Sequence, residues 1–210
     1  MIIKTLAVGP IMANCFIVGC EATGSAAVID PGDETDRILR SLSESGLNLS
    51  CIINTHGHFD HVGGNRRMKE ATGAELIIHA RDVPMLDRLS ASAAAWGFSA
   101  ENSPPPDRTV DQGDTISFGE ITFGVIHTPG HTPGGISLHT AEAVFVGDTL
   151  FSGSIGRTDF PGGDYEALIA SVRNKLFALG DEVRVLSGHG PETTIGREKQ
   201  RRYNPFVGFL

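Results

Sequence analysis

The sequence predicts an α+β fold in which two β-sheets pack together and helices cover their outer faces. Two observations favour this fold. Short strand-like runs are followed by a helix-like run twice along the chain, once in each half. Glycine supplies 26 of the 210 residues, about 12% against roughly 7% on average, which indicates many tight turns and glycine-rich loops.

The first half divides into alternating strands and helices. Apolar, β-branched runs predict strands at residues 1–8, 14–20, 25–30, 49–54 and 75–79. Apolar residues at helical spacing, with glycine as a stop signal, predict helices at 35–45, 62–72 and 81–89. Residues 90–107, with three prolines in a row, are interpreted as a connection to the second half. The alternative is a flap over a site, with Trp96 and Phe98 as part of a substrate wall.

The second half repeats this layout without repeating the sequence. A hairpin is predicted at residues 115–118 and 121–126, and further strands at 135–139, 143–146 and 183–186. Asp164 is a predicted N-cap for a helix that runs to residue 179 and ends at Gly180. A final helix is predicted from Thr193 or Thr194 through residue 202, ended by residues 204–205.

Length and composition limit the functions that the chain can have. A chain of 210 residues is expected to form one domain, residues 1–210. A net charge of −8 argues against a nucleic-acid partner, and no apolar run has the length of a membrane span. Three cysteines without metal-ligand spacing predict free thiols in a reducing, cytoplasmic setting.

The most distinctive stretch is residues 55–64. Three histidines and a carboxylate fall between positions 56 and 61: His56, His58, Asp60 and His61. Because an apolar run precedes them, they lie in a loop between a strand end and a helix start. Clustered polar residues beside a buried strand need partners, and imidazole and carboxylate ligands suit Zn, Fe or Mn. The stretch therefore predicts a metal site.

Three further residues share this setting of a strand end followed by a glycine-rich turn. They are His131, Asp148 and His189. Binding residues concentrate on such loops. With the first four they make seven potential ligands, too many for one tetrahedral ion but suited to two ions that share a carboxylate. Three other histidines are interpreted as structural or solvated: His79, His127 and His139.

These motifs resemble the metallo-β-lactamase superfamily, whose H-x-H-x-D-H signature stands at residues 56–61. More closely, the chain resembles the single-domain branch of the glyoxalase II-like (hydroxyacylglutathione hydrolase-like) enzymes. Supporting segments are residues 128–135, 147–151, 156–160, 188–194 and 204–205. The resemblance implies a four-layer αββα sandwich with two divalent metal ions at one edge of the sheets.

The resemblance also implies a role for each ligand. It places His56, His58 and His131 on the first ion. It places Asp60, His61 and His189 on the second ion, with Asp148 bridging. Zinc is expected, with iron or manganese as alternatives. The implied nucleophile is a hydroxide between the ions, since metals lower the pKa of bound water towards ~7, and Asp60 is expected to help orient it.

The implied reaction is hydrolysis of a thioester such as S-D-lactoylglutathione. A thiolate leaves readily, which suits a site without a strong general acid. Arg157 is expected to anchor a substrate carboxylate, or else to form a bidentate pair with Asp159 or another carboxylate. The larger glyoxalase II enzymes carry a C-terminal helical domain that helps to hold glutathione. Because this chain stops at Leu210, a related thioester is an alternative substrate.

Two other functions fit the same residues. Persulfide dioxygenases of this superfamily share the segment 156–160, and there a single iron would be held by His56, His131 and Asp148, with open positions for oxygen. His189 and Asp60 favour hydrolysis over this alternative. The third hypothesis is a metal-binding protein without turnover, against which the exposed, glycine-flanked ligands argue.

Overall fold

The computed structural model describes residues 1–200 and contains two six-stranded sheets. The strands of the first sheet are β1 (Ile2–Val8), β2 (Ala13–Gly19), β3 (Ser25–Ile29), β4 (Asn48–Ile53), β5 (Glu75–His79) and β6 (Arg108–Val110). The later strands are β7 (Thr115–Phe118), β8 (Ile121–His127), β9 (Ile136–His139), β10 (Ala143–Gly147), β11 (Leu150–Phe151), β12 (Ser154–Ile155), β13 (Arg184–Ser187) and β14 (Thr193–Thr194). Of these, β11 pairs with β12 as a small hairpin, and the other six form the second sheet.

Residues 1–200 also form seven α-helices, of which the last follows the final strand. They are α1 (Thr35–Glu44), α2 (Phe59–Val62), α3 (Asn65–Thr72), α4 (Val83–Leu86), α5 (Leu89–Ala95), α6 (Tyr165–Asn174) and α7 (Ile195–Gln200). Short 3₁₀ turns occupy Ala80–Asp82 and Leu176–Ala178. The predicted cap at Asp164 forms, since its carboxylate accepts a hydrogen bond from the Ala167 N–H at 3.0 Å. No helix within residues 1–200 combines the length and apolar character needed to cross a membrane.

The core lies in three layers between four layers of secondary structure. On β10, Ala143 and Phe145 face the first sheet, while Val144 and Val146 face α6, as the two-residue period of a strand requires. Phe145 meets Phe16 of β2 edge-on at 5.2 Å, and truncating such a buried ring typically costs about 3–5 kcal/mol. Outside the first sheet, α1 and α3 bury apolar side chains against β2, β3, β4 and β5. The structure therefore confirms the α+β class and the αββα sandwich.

Strand direction brings several loops to one edge of the sandwich. In the first sheet β3, β4 and β5 are parallel, so the loops after all three leave at the same edge. In the second sheet β10 and β13 are parallel, and β8 has the same direction because β9 is antiparallel to both β8 and β10. The loops that follow β8, β10 and β13 therefore also leave together.

Several predicted boundaries are wrong. The helix predicted at 62–72 is two helices, because the backbone breaks at Gly63 and Gly64, where a Cβ on Gly64 would meet the Pro31 carbonyl. The helix predicted at 81–89 is a 3₁₀ turn followed by α4, and a separate α5 follows it. The helix predicted to reach residue 179 stops at Asn174. The short strands β6, β11, β12 and β14 were not predicted. The predicted end of the last helix, at residues 201–205, lies outside the described residues.

Candidate metal centre

The structure brings all seven predicted ligands to the shared edge of the two sheets. The loop after β4 and the helix α2 carry four of them, at residues 56–61. The loop after β8 carries His131, the turn after β10 carries Asp148, and the loop after β13 carries His189. Each of these four segments follows the end of a strand, where a rigid sheet fixes the backbone and the loop remains free to present polar groups.

The ligand atoms form two groups. His56, His58 and His131 offer nitrogen atoms that all lie within 4.8 Å of one another, with His58 Nδ1 2.9 Å from His131 Nε2. Asp60, His61 and His189 make the second group, in which His61 Nε2 lies 3.2 Å from His189 Nε2. These are the two sets that the family resemblance implies for two separate ions.

Asp148 lies between the two groups. Its Oδ2 is 3.5 Å from His131 Nε2 in the first group and 3.6 Å from His189 Nε2 in the second. Its Oδ1 is 3.5 Å from His61 Nε2, and this buried oxygen has no hydrogen-bond donor among residues 1–200. A carboxylate in contact with both sets is placed as a bridging ligand would be.

The hydrogen bonds of three histidines direct a lone pair into the centre. His61 Nδ1 contacts Asp30 Oδ2 at 3.1 Å, and His131 Nδ1 contacts the carbonyl oxygen of Arg157 at 2.7 Å. Because both partners are acceptors, each Nδ1 donates its proton, and in the neutral imidazole each Nε2 keeps a lone pair. Thr55 Oγ1, which donates to Asp30, accepts from His56 Nδ1 in the same way.

The Nε2 atom of His56 is then a buried acceptor without a partner in the described part of the chain. An unsatisfied buried polar atom is costly, and here two such atoms, His56 Nε2 and Asp148 Oδ1, lie in the same cluster. Imidazole nitrogen and carboxylate oxygen are the donor set that zinc, iron and manganese accept. The residues present therefore fit a divalent metal centre.

The charges in the cluster also favour binding of a cation. Burial lowers the pKa of His56 and, together with the neighbouring His131, lowers the pKa of His58 to about 3, so both are neutral and ready to ligate. Burial alone would lower the pKa of His61, but Asp60, Asp148 and Asp30 outweigh it and raise that pKa. Three carboxylates thus surround His61 and favour positive charge at this point.

Two buried carboxylates that the sequence did not reveal hold the ligand loops. Asp30, at the end of β3, accepts from the Thr55 N–H at 2.7 Å as well as from His61. Asp82, just before α4, accepts from the Gly57 N–H at 3.0 Å and from the Gly134 N–H at 2.6 Å. Asp82 therefore ties the histidine loop of the first half to the His131 loop of the second.

Two glycines allow the loops to approach the ligands. A Cβ on Gly188 would overlap Asp148 Oδ1 and lie 2.7 Å from His61 Cε1. A Cβ on Gly156 would overlap the Asp148 carbonyl and lie 3.2 Å from His131 Nδ1. Part of the glycine excess in the sequence is therefore explained by close backbone packing around the ligands.

A cavity of about 770 Å³ opens in front of the centre. That volume is within the usual range for small-molecule sites. His58, Asp60, His131, Asp148 and His189 face it, whereas His56 and His61 lie beneath. Its remaining wall is largely apolar and includes Met85, Leu89, Trp96, Phe151 and Phe160.

Arg157 lies in this wall, but its charge is already paired. Its Nε and Nη2 donate to the two oxygens of Asp159 at 2.7 and 2.6 Å, the bidentate pair that was the alternative to substrate binding. Its guanidinium also lies over the Phe160 ring, 3.8 Å from the centroid. Through its contacts with Asp159 and Phe160, Arg157 stabilises the cavity wall.

The segment 90–107 supplies part of that wall and is more than a connection. Trp96 lines the cavity and meets the Phe160 ring edge-on at 5.7 Å. Phe98 instead packs against Phe59 of α2, at 5.9 Å between centroids, and is not among the cavity-lining residues. Of the two aromatic residues expected in a substrate wall, the structure places Trp96 in the wall of this cavity.

A further group, His79, Asp111 and His127, has its ligand atoms close together but lacks metal geometry. The rings of His79 and His127 are stacked, with centroids 4.3 Å apart and planes 8° from parallel. An ion in the plane of one ring would lie outside the plane of the other, so their lone pairs do not converge. His127 donates to the Pro133 carbonyl at 3.0 Å and supports the His131 loop, in agreement with its predicted structural role.

Comparison with known proteins gives the family. The model of the Metallo-beta-lactamase superfamily matches residues 8–189. Hydroxyacylglutathione hydrolase GloC of Haemophilus influenzae is 40% identical over 211 residues, which cover 99% of this chain and 98% of that protein. The match spans both sheets and all seven predicted ligands.

Solved structures agree over nearly the whole chain. The B3 metallo-beta-lactamase BLEG-1 superposes with a TM-score of 0.91 at 34% identity, covering 98% of this chain and 99% of its own. TTHA1623, solved in a di-iron-bound form, superposes with a TM-score of 0.87 at 39% identity, covering 97% of this chain and 99% of its own. ETHE1 from Myxococcus xanthus superposes with a TM-score of 0.81 at 32% identity, covering 98% of this chain and 84% of its own. The chain therefore belongs to the metallo-beta-lactamase superfamily and is an enzyme of that superfamily.

Proposed function

We propose that this enzyme is a binuclear metallohydrolase that cleaves a thioester such as S-D-lactoylglutathione. The observation that carries the proposal is the pairing of two complete ligand groups, one of three histidines and one of Asp60, His61 and His189, with Asp148 in contact with both. A single ion would leave one group of buried or half-buried ligands without a partner. The 40% identity to a hydroxyacylglutathione hydrolase supports the choice of substrate class.

Enzymes of this superfamily bind divalent metal ions. In this chain we assign His56, His58 and His131 to one ion, Asp60, His61 and His189 to the other, and Asp148 to both. Zinc is the proposed metal, with iron or manganese as alternatives. Two ions held there would lower the pKa of a bound water towards ~7 and polarise the thioester carbonyl.

Asp60 is the proposed catalytic carboxylate. Burial acts to raise its pKa, but His61 and His189 outweigh burial and hold that pKa below its usual range. The side chain therefore stays ionised and accepts hydrogen bonds only. It faces the cavity, and its Oδ2 lies 3.3 Å from His189 Nε2. From this position Asp60 can orient an attacking water by accepting a hydrogen bond from it.

The cavity suits a substrate with an apolar part and a reacting carbonyl at its floor. Hydrolysis joins the water oxygen to the acyl carbon and breaks the carbon–sulfur bond, and the products are a carboxylate, a thiolate and the two protons of the water. Thiols have pKa values of about 8.5, so a thiolate leaves without a strong general acid. No such acid faces the cavity within the described residues: its acidic side chains are Asp60 and Asp148.

Further features of the proposal concern the setting of the enzyme. We propose one catalytic domain, a small-molecule thioester as its partner, and no binding to nucleic acid or membrane, in line with the net charge of −8. We propose the cytoplasm as its location, because all three cysteines are free thiols and all three are buried.

A second candidate function is persulfide dioxygenation. Its support is the 32% identity to ETHE1 from Myxococcus xanthus and the shared segment 156–160. In that case His56, His131 and Asp148 would hold a single iron. Asp60, His61 and His189 would then have no role in binding a metal, although their ligand atoms lie as close together as those of the first group, within 4.8 Å.

Metal content and activity, measured on the same preparation, test the proposal. The purified protein is stripped with a chelator, loaded separately with Zn, Fe or Mn, and analysed for ions per chain by mass spectrometry. Hydrolysis of S-D-lactoylglutathione and oxygen uptake with glutathione persulfide are then measured. We expect about two ions per chain and thioester hydrolysis. A β-lactam assay runs alongside, because BLEG-1 is a B3 metallo-beta-lactamase.

Matched variants separate the two functions. His189→Ala removes a ligand from the second group only, so we expect one lost ion and a hydrolysis rate lower by about 100-fold or more. His139→Gln, at the far end of β9, is the control and should keep both ions. One ion or fewer per chain, with no thioester hydrolysis after loading, would refute the proposal. Oxygen uptake that survives His189→Ala would favour the dioxygenase.

A further inference from the structure

Three arginines line the cavity, and they differ in how their charge is compensated. They are Arg81, Arg88 and Arg157. Arg157 is paired with Asp159 through two short hydrogen bonds. Arg81 and Arg88 are exposed, and within residues 1–200 neither guanidinium forms an ion pair or a hydrogen bond with an acidic side chain. Two uncompensated cations therefore face this cavity.

The remaining charges of the cavity do not neutralise these two side chains. Its acidic residues are Asp60 and Asp148, and both lie among the imidazoles of the metal centre. The wall beyond the centre is therefore positive, although the whole chain has a net charge of −8. A cleft whose charge is opposite to that of the protein attracts ligands of the other sign, since low-dielectric walls focus the field.

Position links both arginines to the metal centre. Arg81 lies just before α4 and Arg88 lies between α4 and α5. Helix α4 packs directly on the histidine loop, because a Cβ on Gly57 would lie 2.8 Å from Met85 Cβ and Asp82 binds the Gly57 N–H. The apolar side chains of Pro84, Met85 and Leu89 line the cavity beside the two arginines.

We propose that Arg81 and Arg88 form an anion-binding subsite for the thiol portion of the substrate. The proposal rests on the thioester hydrolase function, with the acyl carbonyl at the metal centre and the thiol carrier along α4. Guanidinium groups bind carboxylates and phosphates alike. The ligand class is therefore a thioester of an anionic thiol, either a carboxylate-bearing peptide such as glutathione or a phosphate-bearing carrier such as coenzyme A.

The subsite differs from a merely apolar wall in what it discriminates. An apolar wall would bind the lactoyl thioester of an uncharged thiol as well as that of an anionic one. A pair of guanidinium groups adds affinity only for the anionic thiol, and this gain falls as salt screens the charges. Affinity gained away from the reacting bond appears in KM and not in kcat when chemistry is slow.

The test compares three lactoyl thioesters on the metal-loaded enzyme: those of glutathione, coenzyme A and N-acetylcysteamine, which is uncharged. The variants are Arg81→Gln, Arg88→Gln and the double variant. Arg40→Gln, an exposed arginine on α1 outside the cavity, is the control. For the anionic thioester that the enzyme uses we expect KM to rise about three- to tenfold per guanidinium removed, with kcat unchanged. KM for the uncharged thioester should stay the same.

Binding without turnover provides an independent readout. Calorimetric titration of S-methylglutathione and of coenzyme A into the wild type identifies the carrier, and the double variant should bind that carrier about tenfold or more weakly. Unchanged binding, or an equal rise in KM for the charged and uncharged thioesters, would overturn the subsite. If no thioester is hydrolysed but one carrier still binds through both arginines, the proposed reaction fails and the anion subsite stands. Circular dichroism confirms that each variant is folded.

Discussion

The carboxylate of Asp30 accepts a hydrogen bond from Nδ1 of His61 at 3.1 Å, and this bond fixes which nitrogen of the imidazole faces the metal centre. Both side chains are buried, at 1% and 0% exposure, so no water competes for the contact. A carboxylate behind a ligating histidine fixes its tautomer and increases its basicity. Asp30 therefore supports the second ligand group without belonging to it.

Replacing Asp30 with asparagine should weaken metal binding at the second group. The amide would keep the shape of the side chain but remove the charge that holds the Nδ1 proton of His61. We expect metal affinity at that group to fall about 10- to 100-fold, with the first group retained. Competitive titration with a metal-sensitive dye measures this loss. Asp36→Asn, which removes a surface pair with Arg67, is the control and should change neither affinity. Equal weakening of both groups would contradict the assignment.

Asp82 should matter for the relative placement of the two halves. Its carboxylate accepts three hydrogen bonds, from the Gly57 N–H, the Thr132 hydroxyl and the Gly134 N–H. Asp82→Asn would turn an NH₂ group towards at least one of these donors, and an unsatisfied buried donor costs about 1–3 kcal/mol. We expect that loss in the free energy of unfolding from urea denaturation, together with lower occupancy of the first group. The exposed neighbour Asp87, changed to asparagine, should give neither effect.

Gly188 should not tolerate a methyl group. A Cβ there would overlap Asp148 Oδ1, so Gly188→Ala must displace the Asp148 carboxylate or the backbone after β13. We expect at least a tenfold loss of activity and a destabilisation of about 1–3 kcal/mol. Gly180→Ala is the matched control, because its Cβ would have Val183 Cγ2 as its nearest neighbour at 3.9 Å. Wild-type activity and metal content in Gly188→Ala would show that Asp148 does not need its present position.

Asp107 should give stability that depends on pH. Its carboxylate accepts a hydrogen bond from the Leu76 N–H at 2.8 Å and pairs with Lys69, and both lower its pKa in the folded state. A lowered folded pKa stabilises the protein above the unfolded value of about 3.9, and the gain is lost as pH falls below it. The side chain is 44% exposed, so screening keeps the effect below about 1 kcal/mol.

Asp107→Asn should therefore lower the free energy of unfolding at pH 6–7. Near pH 3 the free energy of unfolding of the variant should approach that of the wild type. Urea denaturation at several pH values measures the difference. A gap between the two proteins that is the same at every pH would show that the Asp107 charge has no part in it.

The clustering of the seven candidate ligands was predictable because its signal is local. His56 to His61 lie close together in sequence, and His131, Asp148 and His189 each follow a strand end in a glycine-rich turn. Two sheets with helices outside follow from apolar, β-branched runs that are each followed by a helix-like run, since burial of a strand leaves its residues apolar. Both kinds of signal are carried by neighbouring residues, so a single sequence reveals them.

The supporting residues were not predictable because their partners are remote. Asp30 binds Thr55 and His61, and Asp82 binds residues about 25 and 50 positions away, so neither belongs to a local pattern. The break between α2 and α3 depends on the approach of Gly64 to Pro31, which also requires tertiary packing. The β6 strand has only three residues and follows a proline run, where strand patterns are too short to recognise.

The two ligand groups can be completed only after the two halves of the chain have come together. Each group joins side chains from both halves: His58 and His131 are separated by 73 positions, and His61 and His189 by 128. Closing such long loops is slow, because the chain loses conformational entropy before the stabilising contacts form. On the ribosome, the second group stays incomplete until β13 and the loop after it have emerged. Coordination of an ion by a complete group would therefore require that the two sheets have already packed together.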